Sequence, residues 1–273
     1  MSSLVWSALA AISAVFALSV APAQAATWDT GTVACVINDA RIKESSGMSR
    51  STYKRKVRWV HNDSGDTARF FAVSKRCRVR AEITVRLPKP TDWEDMASGP
   101  DHTLWFGDIG DNGAKRPEIS VVRVKEPKKL RNRTLKRPVV FRLAYPDGPH
   151  NAEAMMVHPT SGRVYVITKS PTLGGIYRAP KELSSTGLNV MTRIADAPTG
   201  LSSADFDRFG ERFFLGGYRS IFVYDAFGAE PVRVPFNDNI LFTEAATWAR
   251  GRHKVLVTGE KVGRPIWRLK ELA

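Results

Sequence analysis

Residues 93–112 read Trp-Glu-Asp-Met-Ala-Ser-Gly-Pro-Asp-His-Thr-Leu-Trp-Phe-Gly-Asp-Ile-Gly-Asp-Asn. An acidic Glu-Asp-Met-Ala opening runs into a Gly-Pro-Asp turn, a strand centred on Leu104-Trp105-Phe106, and an acidic loop from Asp108 to Asn112. Gly, Pro and Asp set the tight reversal, so the stretch reads as two paired strands with polar groups at one end.

The same order of features recurs along the chain. Ser46-Gly47-Met48-Ser49 precedes the strand Val57 to Val60 and the loop His61 to Asp66. Glu153-Ala154-Met155-Met156 precedes Val164 to Ile167 and Lys169, Ser203-Ala204-Asp205-Phe206 precedes Phe213-Phe214-Leu215, and Glu244-Ala245-Ala246 precedes Val255-Leu256-Val257 and Glu260. Taking Ser46, Glu94, Glu153, Ser203 and Glu244 as equivalent, the units recur about every 40–60 residues, and each continues into a third strand. The first four also carry a fourth strand, such as Ala81 to Val85 or Val139 to Leu143. A repeated four-stranded meander predicts an all-β fold, a five-bladed β-propeller. A sixth blade, the alternative, lacks an inner-strand motif of its own. The long segment Lys125 to Arg137 in the second unit reads as an extended hairpin.

The last unit has room for three strands, and Thr32 to Ile37, ahead of the first unit, has no partner in sequence. Pairing it as the outer strand of the last blade closes the ring and removes two open edges. Closure also brings Cys35, on that strand, towards Cys77 in the turn between the third and fourth strands of the first unit. In an exported protein the pair is expected to form a disulfide in preference to two free thiols.

Export is read from the first residues. Leu4 to Val20 is apolar and ends in Ala21-Pro22-Ala23-Gln24-Ala25, a small-x-small pattern that predicts a signal peptide over residues 1–25, cleavage near Ala25 and a secreted propeller domain over 26–273. No later stretch is long and apolar enough to span a membrane as a helix, and a monomer is expected. The 41 Lys and Arg against 27 Asp and Glu give a formal net charge of +14. Eleven of the basic residues lie between Lys115 and Arg142. This excess reads first as a solubilising surface, and otherwise as a contact for an anionic ligand or an anionic cell-surface polymer. No motif for specific nucleic-acid binding accompanies it.

In a propeller the inner-strand starts and second-strand ends share the top face, so the repeat gathers Glu94, Asp95, Glu153, Asp205 and Glu244 with the loop residues His61, Asp63, Asp66, Asp108, Asp111, Asn112, Lys169 and Glu260, and with His150. Converging carboxylates repel one another unless a cation compensates. Hard oxygen ligands favour calcium, with Glu94, Asp108, Glu153 and Glu244 as its expected ligands. Lys169 and Arg116 offer compensation without a metal. Asp63, Asp66, Asp111, Asn112, Arg116, Lys169 and Glu260 are the expected ligand-binding residues around this centre. His61 or His150 is the expected proton-transfer group if the site is catalytic. No Gly-x-Ser-x-Gly or His-Glu-x-x-His motif is present. Trp59, Trp93, Trp105 and Trp267 read as packing residues.

The runs His-Asn-Asp-Ser-Gly-Asp (61–66), Asp-Trp-Glu-Asp-Met-Ala (92–97), Gly-Asp-Ile-Gly-Asp-Asn (107–112), Asn-Ala-Glu-Ala-Met (151–155) and Gly-Glu-Lys-Val-Gly (259–263) resemble those of secreted bacterial β-propeller proteins. That group is similar in turn to phytase-like and esterase-like propellers. The resemblance implies a calcium-dependent phosphoester hydrolase as one activity, although five repeats stand here where the β-propeller phytases have six. Two functions therefore remain open: a module that binds a small or anionic ligand at the acidic mouth, and a metal-dependent phosphoester or ester hydrolase.

Overall fold

Five innermost strands, Ser45–Arg50, Trp93–Gly99, Ala152–Val157, Leu201–Phe206 and Thr243–Trp248, stand side by side around one axis, the fifth returning to the first. Every residue of the second, third and fourth of these is buried, because each strand has a neighbouring blade on both faces. Ala, Ser and Gly are frequent in these strands, as the narrow centre of a propeller requires. The structure is a computed structural model and describes residues 26–272. The export signal expected over residues 1–25 lies outside them. Among the described residues no helix is long and apolar enough to cross a membrane.

Each inner strand begins an antiparallel sheet, giving the five blades of a β-propeller. Five apolar clusters fill the five gaps between blades. Trp59, Phe70, Trp93 and Phe106 pack between blades 1 and 2, and Phe214 and Trp248 between blades 4 and 5. Fully burying one such ring stabilises the fold by about 1.5–3 kcal/mol, so the blade interfaces, not the blades themselves, hold most of the apolar driving force.

Closure follows the sequence expectation. Thr32–Val36 pairs antiparallel with Pro265–Lys270 as the outer strand of blade 5. Cys35 on that strand forms a disulfide with Cys77, Cα to Cα 5.7 Å, in the turn between Arg69–Ser74 and Val79–Val85 of blade 1. The bond fastens the last blade to the first.

The basic segment after Lys125 is not a simple hairpin. Its residues Arg133–Leu135 cross to blade 1 and pair parallel with Val79–Val85. Leu188–Val190, from the corresponding connection of blade 3, pairs parallel with Val139–Ala144 of blade 2. Each long connection thus covers the open edge of the preceding blade, satisfying backbone groups that would otherwise invite foreign strands.

Candidate functional site

The inner strands share one irregularity. Trp93 pairs with Asp108 and Asp95 with Gly107, leaving Glu94 without a cross-strand partner. The same bulge falls at Ser46, Glu153, Ser202 and Glu244. A bulge re-aims the extra residue, and here it does so at the start of the inner strand in all five blades. Ser202, not Ser203, is therefore the fourth equivalent. The two serines fasten neighbouring blades: Ser46 Oγ donates to the Glu94 carbonyl at 2.6 Å and Ser202 Oγ to the Thr243 carbonyl at 2.7 Å. The three glutamates are left to face the mouth.

Below this layer the axis is plugged. Asp95 is fully buried, and its carboxylate accepts the amides of Met96 at 2.7 Å, Met155 at 3.0 Å and Ala204 at 3.0 Å, so one side chain joins blades 2, 3 and 4. Burial pushes its pKa up against the pull of those amides. Asp205 accepts from Arg50 Nη1 at 3.0 Å, Thr247 Oγ1 at 2.8 Å and the Trp248 amide at 3.1 Å. Asp95 and Asp205, expected at the mouth, are ring fasteners instead: the bulge sends Glu94 to the mouth and turns Asp95 inward, while Asp205 lies three residues beyond its own blade's bulge, near the far end of the inner strand.

At the mouth, Asp63, Asp92 and Glu94 each place a carboxylate oxygen within 4.8 Å of the others. Asp63 comes from the loop after the second strand of blade 1; Asp92 and Glu94 come from the entry to blade 2. Gly110 makes the approach possible, since a Cβ there would lie 2.3 Å from both Asp92 Oδ2 and Glu94 Oε1. Among the described residues no Lys or Arg hydrogen-bonds any of the three. Burial, reinforced by Asp63, Glu153, Asp92 and Glu244, raises the Glu94 pKa to about 10. Burial, with Asp92, Glu260 and Glu44, raises Asp63 to about 6. Glu244 is raised to about 8 by burial and by Glu153 and Glu260. Glu260 and Asp92 are shifted up as well, mainly by burial.

The other expected site residues divide clearly. Glu153 is taken up by Lys169 Nζ, 2.6 Å from both its oxygens, and Lys169 also contacts the Tyr218 hydroxyl. Glu153 and Lys169 thus belong to the mouth as an ion pair. Asp108 is set apart from the trio: it accepts the amides of Thr91 and Asp92 and Arg116 Nη2, each at 3.0 Å. Arg116 also donates to the carbonyls of Gly110 and Asp108, holding the loop above the trio. Asp111 caps the amides of Lys115 and Arg116, Asn112 accepts from Asn151, and Asp66 is held by Asn62 and Arg69, all contacts that shape loops.

Neither histidine stands as expected. His61 is fully buried, edge-on to Trp93 and Phe106, and burial depresses its pKa to about 4. Its Nε2 lies against Gly47, where a Cβ would come within 2.1 Å. It is a neutral packing residue between blades. His150 Nε2 is 3.1 Å from Asp147 and 3.0 Å from the Tyr177 hydroxyl, a separate cluster with its ring edge-on to Tyr145. Asp92 was the residue that sequence reasoning passed over; it precedes the strand, and only its place in the Asp-Trp-Glu-Asp run marked it. Trp59, Trp93 and Trp105 are core residues as expected.

Compared by sequence, the chain matches no protein-family model, and no curated protein matches it. Solved structures do match. The PQQ-bound aldose sugar dehydrogenase of Streptomyces coelicolor is 12% identical with a TM-score of 0.53, over 91% of this chain and 99% of that one. The apo-form soluble aldose sugar dehydrogenase of Escherichia coli is 11% identical with a TM-score of 0.53, over 90% and 100%. What they share is the fold. At such identities the chain is similar to them as a β-propeller, and its chemistry has to be argued from its own mouth.

Proposed function

We propose that the mouth binds a divalent cation of the calcium type, through Asp63, Asp92 and Glu94, and that an anionic, oxygen-bearing small ligand completes the coordination. The observation that carries this reading is the convergence of three carboxylates within 4.8 Å, to none of which a Lys or Arg hydrogen-bonds among the described residues. Partly buried like charges this close favour uptake of protons or a cation, and carboxylate oxygens with room for further donors suit calcium. Glu244 and Glu260 stand beside the trio, while Lys169 neutralises Glu153 and offers a cationic edge to the ligand. Asp108, expected as a metal ligand, instead positions the loop that carries Gly110. The disulfide fits an exported protein, in which calcium is abundant.

Melting curves with calcium, with magnesium and with chelator, on the wild type and on Asp63→Asn/Glu94→Gln, test the reading. Calcium at a hundredfold excess over its Kd should add about 2.7 kcal/mol to wild-type stability and nothing to the variant. A wild type whose melting is indifferent to calcium would sink it.

Hydrolysis of a phosphoester or ester at the same cation is the second reading. It is favoured by Glu244, whose pKa near 8 suits proton transfer around neutrality once His61 and His150 are otherwise engaged. A screen of phosphomonoesters and short esters, repeated with Glu244→Gln, separates the two: turnover that depends on calcium and on Glu244 supports hydrolysis, and calcium binding without turnover supports the binding module.

A further inference from the structure

The opposite end of the axis is built with the reverse charge. A cavity of about 670 Å³ opens where the inner strands end, and every blade lines it: Arg50 to Thr52 and Arg55 to Arg58 from blade 1, Ser98 to His102 from blade 2, Pro159 from blade 3, Arg208 from blade 4, and Trp248 to Arg250 from blade 5. Seven Lys or Arg residues face it against one carboxylate, that of Asp101. Arg50 is committed to Asp205. The other six, Arg55, Lys56, Arg58, Lys75, Arg208 and Arg250, have no carboxylate partner among the described residues.

Arg58 is the most telling of them. Its Nη1 is out of contact with solvent and has no hydrogen-bond partner, and burial alone pulls its pKa down to about 10. A desolvated guanidinium nitrogen costs stability unless something accepts its protons. The nearby acids do not serve it: Glu126 is consumed by Ser51, Thr52 and Trp59, and Asp205 by Arg50, Thr247 and Trp248.

The geometry points to a second ligand site on the bottom face, one that takes a compact, multiply charged phosphate-bearing ligand. Guanidinium groups match phosphate oxygens in pairs, and six free cations around one cavity call for several charges within a small volume, which phosphate groups supply more densely than carboxylates. The volume accommodates a short phosphate chain or a phosphorylated sugar. The site does not rest on the cation centre at the mouth, and the Asp95 plug lies between the two.

Titration calorimetry with tripolyphosphate and with a hexose monophosphate, in chelator and about 0.15 M salt, tests it. The two ligands distinguish a phosphate chain from a phosphorylated sugar as the source of the anion. Tripolyphosphate or the sugar phosphate should bind wild type and Glu94→Gln alike. Arg55→Ser/Arg208→Ser/Arg250→Ser, all exposed positions, should bind about tenfold more weakly while melting as the wild type does. Lys129→Ser/Arg131→Ser/Lys136→Ser, which removes equal charge from the crossover segment, should bind as tightly as wild type. No wild-type binding of either ligand, an unaffected bottom-face variant, or an equal loss in the crossover variant would each overturn the proposal.

Discussion

The two ends of the propeller axis use the same five strands and opposite chemistry. At the top, bulges and a glycine press carboxylates together in a partly dehydrated ring, where like charges favour protonation or, in the function proposed above, a small hard cation. At the bottom, turn residues hold cations around a wider, solvent-flanked cavity, where they stay charged and suit a larger partner. The backbone repeat alone decides neither end. Spacing does: groups within 5 Å of one another share a proton or an ion, and groups spread around a cavity share a ligand.

The largest effect on this contrast should come from the Cys35–Cys77 bond. Lys75 of the bottom cavity sits in the same turn as Cys77. Cys35→Ser/Cys77→Ser opens a loop spanning a sequence separation of 42 and should cost about 4 kcal/mol in chemical denaturation. Phosphate binding should weaken in this variant while the calcium-dependent shift persists.

Next comes Asp95→Ala, which removes the plug and leaves the Met155 and Ala204 amides unpaired; a loss of about 3 kcal/mol is expected, read from denaturant midpoints.

A smaller and more diagnostic effect is pH. Asp63, Glu244 and Glu94 hold protons in the folded protein that the unfolded chain has lost, with folded pKa values of about 6, 8 and 10. Their contribution is therefore full below about pH 4 and is lost as pH rises through those values. Calcium-free protein should lose stability steadily as pH rises from about 4, the Asp63 share ending near pH 6 and the Glu244 share near pH 8, read from denaturant midpoints across that range. Calcium should flatten the slope, and so should Glu94→Gln in part.

Smallest in stability is Gly110→Ala. Its Cβ would strike Asp92 and Glu94, so the fold should lose only about 1 kcal/mol while calcium affinity falls about tenfold.

The sequence made the ring legible because inner strands carry a repeated order of small, acidic and turn residues, and because one unpaired strand and two cysteines demanded closure. It hid the bulge, which has no residue signature, and so placed Asp95 and Ser203 one step from their true roles; Asp205, further along its strand, belongs near the opposite end. For His61 a strand-end position says nothing about whether the side chain turns to the mouth or between blades. The crossing strands Arg133–Leu135 and Leu188–Val190 are too short to leave a periodicity. The bottom cavity is not legible in the sequence because its cations are scattered from Arg50 to Arg250, whereas the contiguous basic run from Lys115 to Arg142 is plain there.

The crossing strands also bear on how the protein forms. Blade 1 cannot complete its sheet until residue 135 arrives, nor blade 2 until residue 190, and Thr32–Val36, ahead of every blade, waits for the last strand of blade 5. A linear repeat array can nucleate anywhere and fray from its ends. This chain interlocks its first two repeats with later ones and its first strand with its last, so its assembly is expected to be slow and, once complete, its melting a single cooperative step.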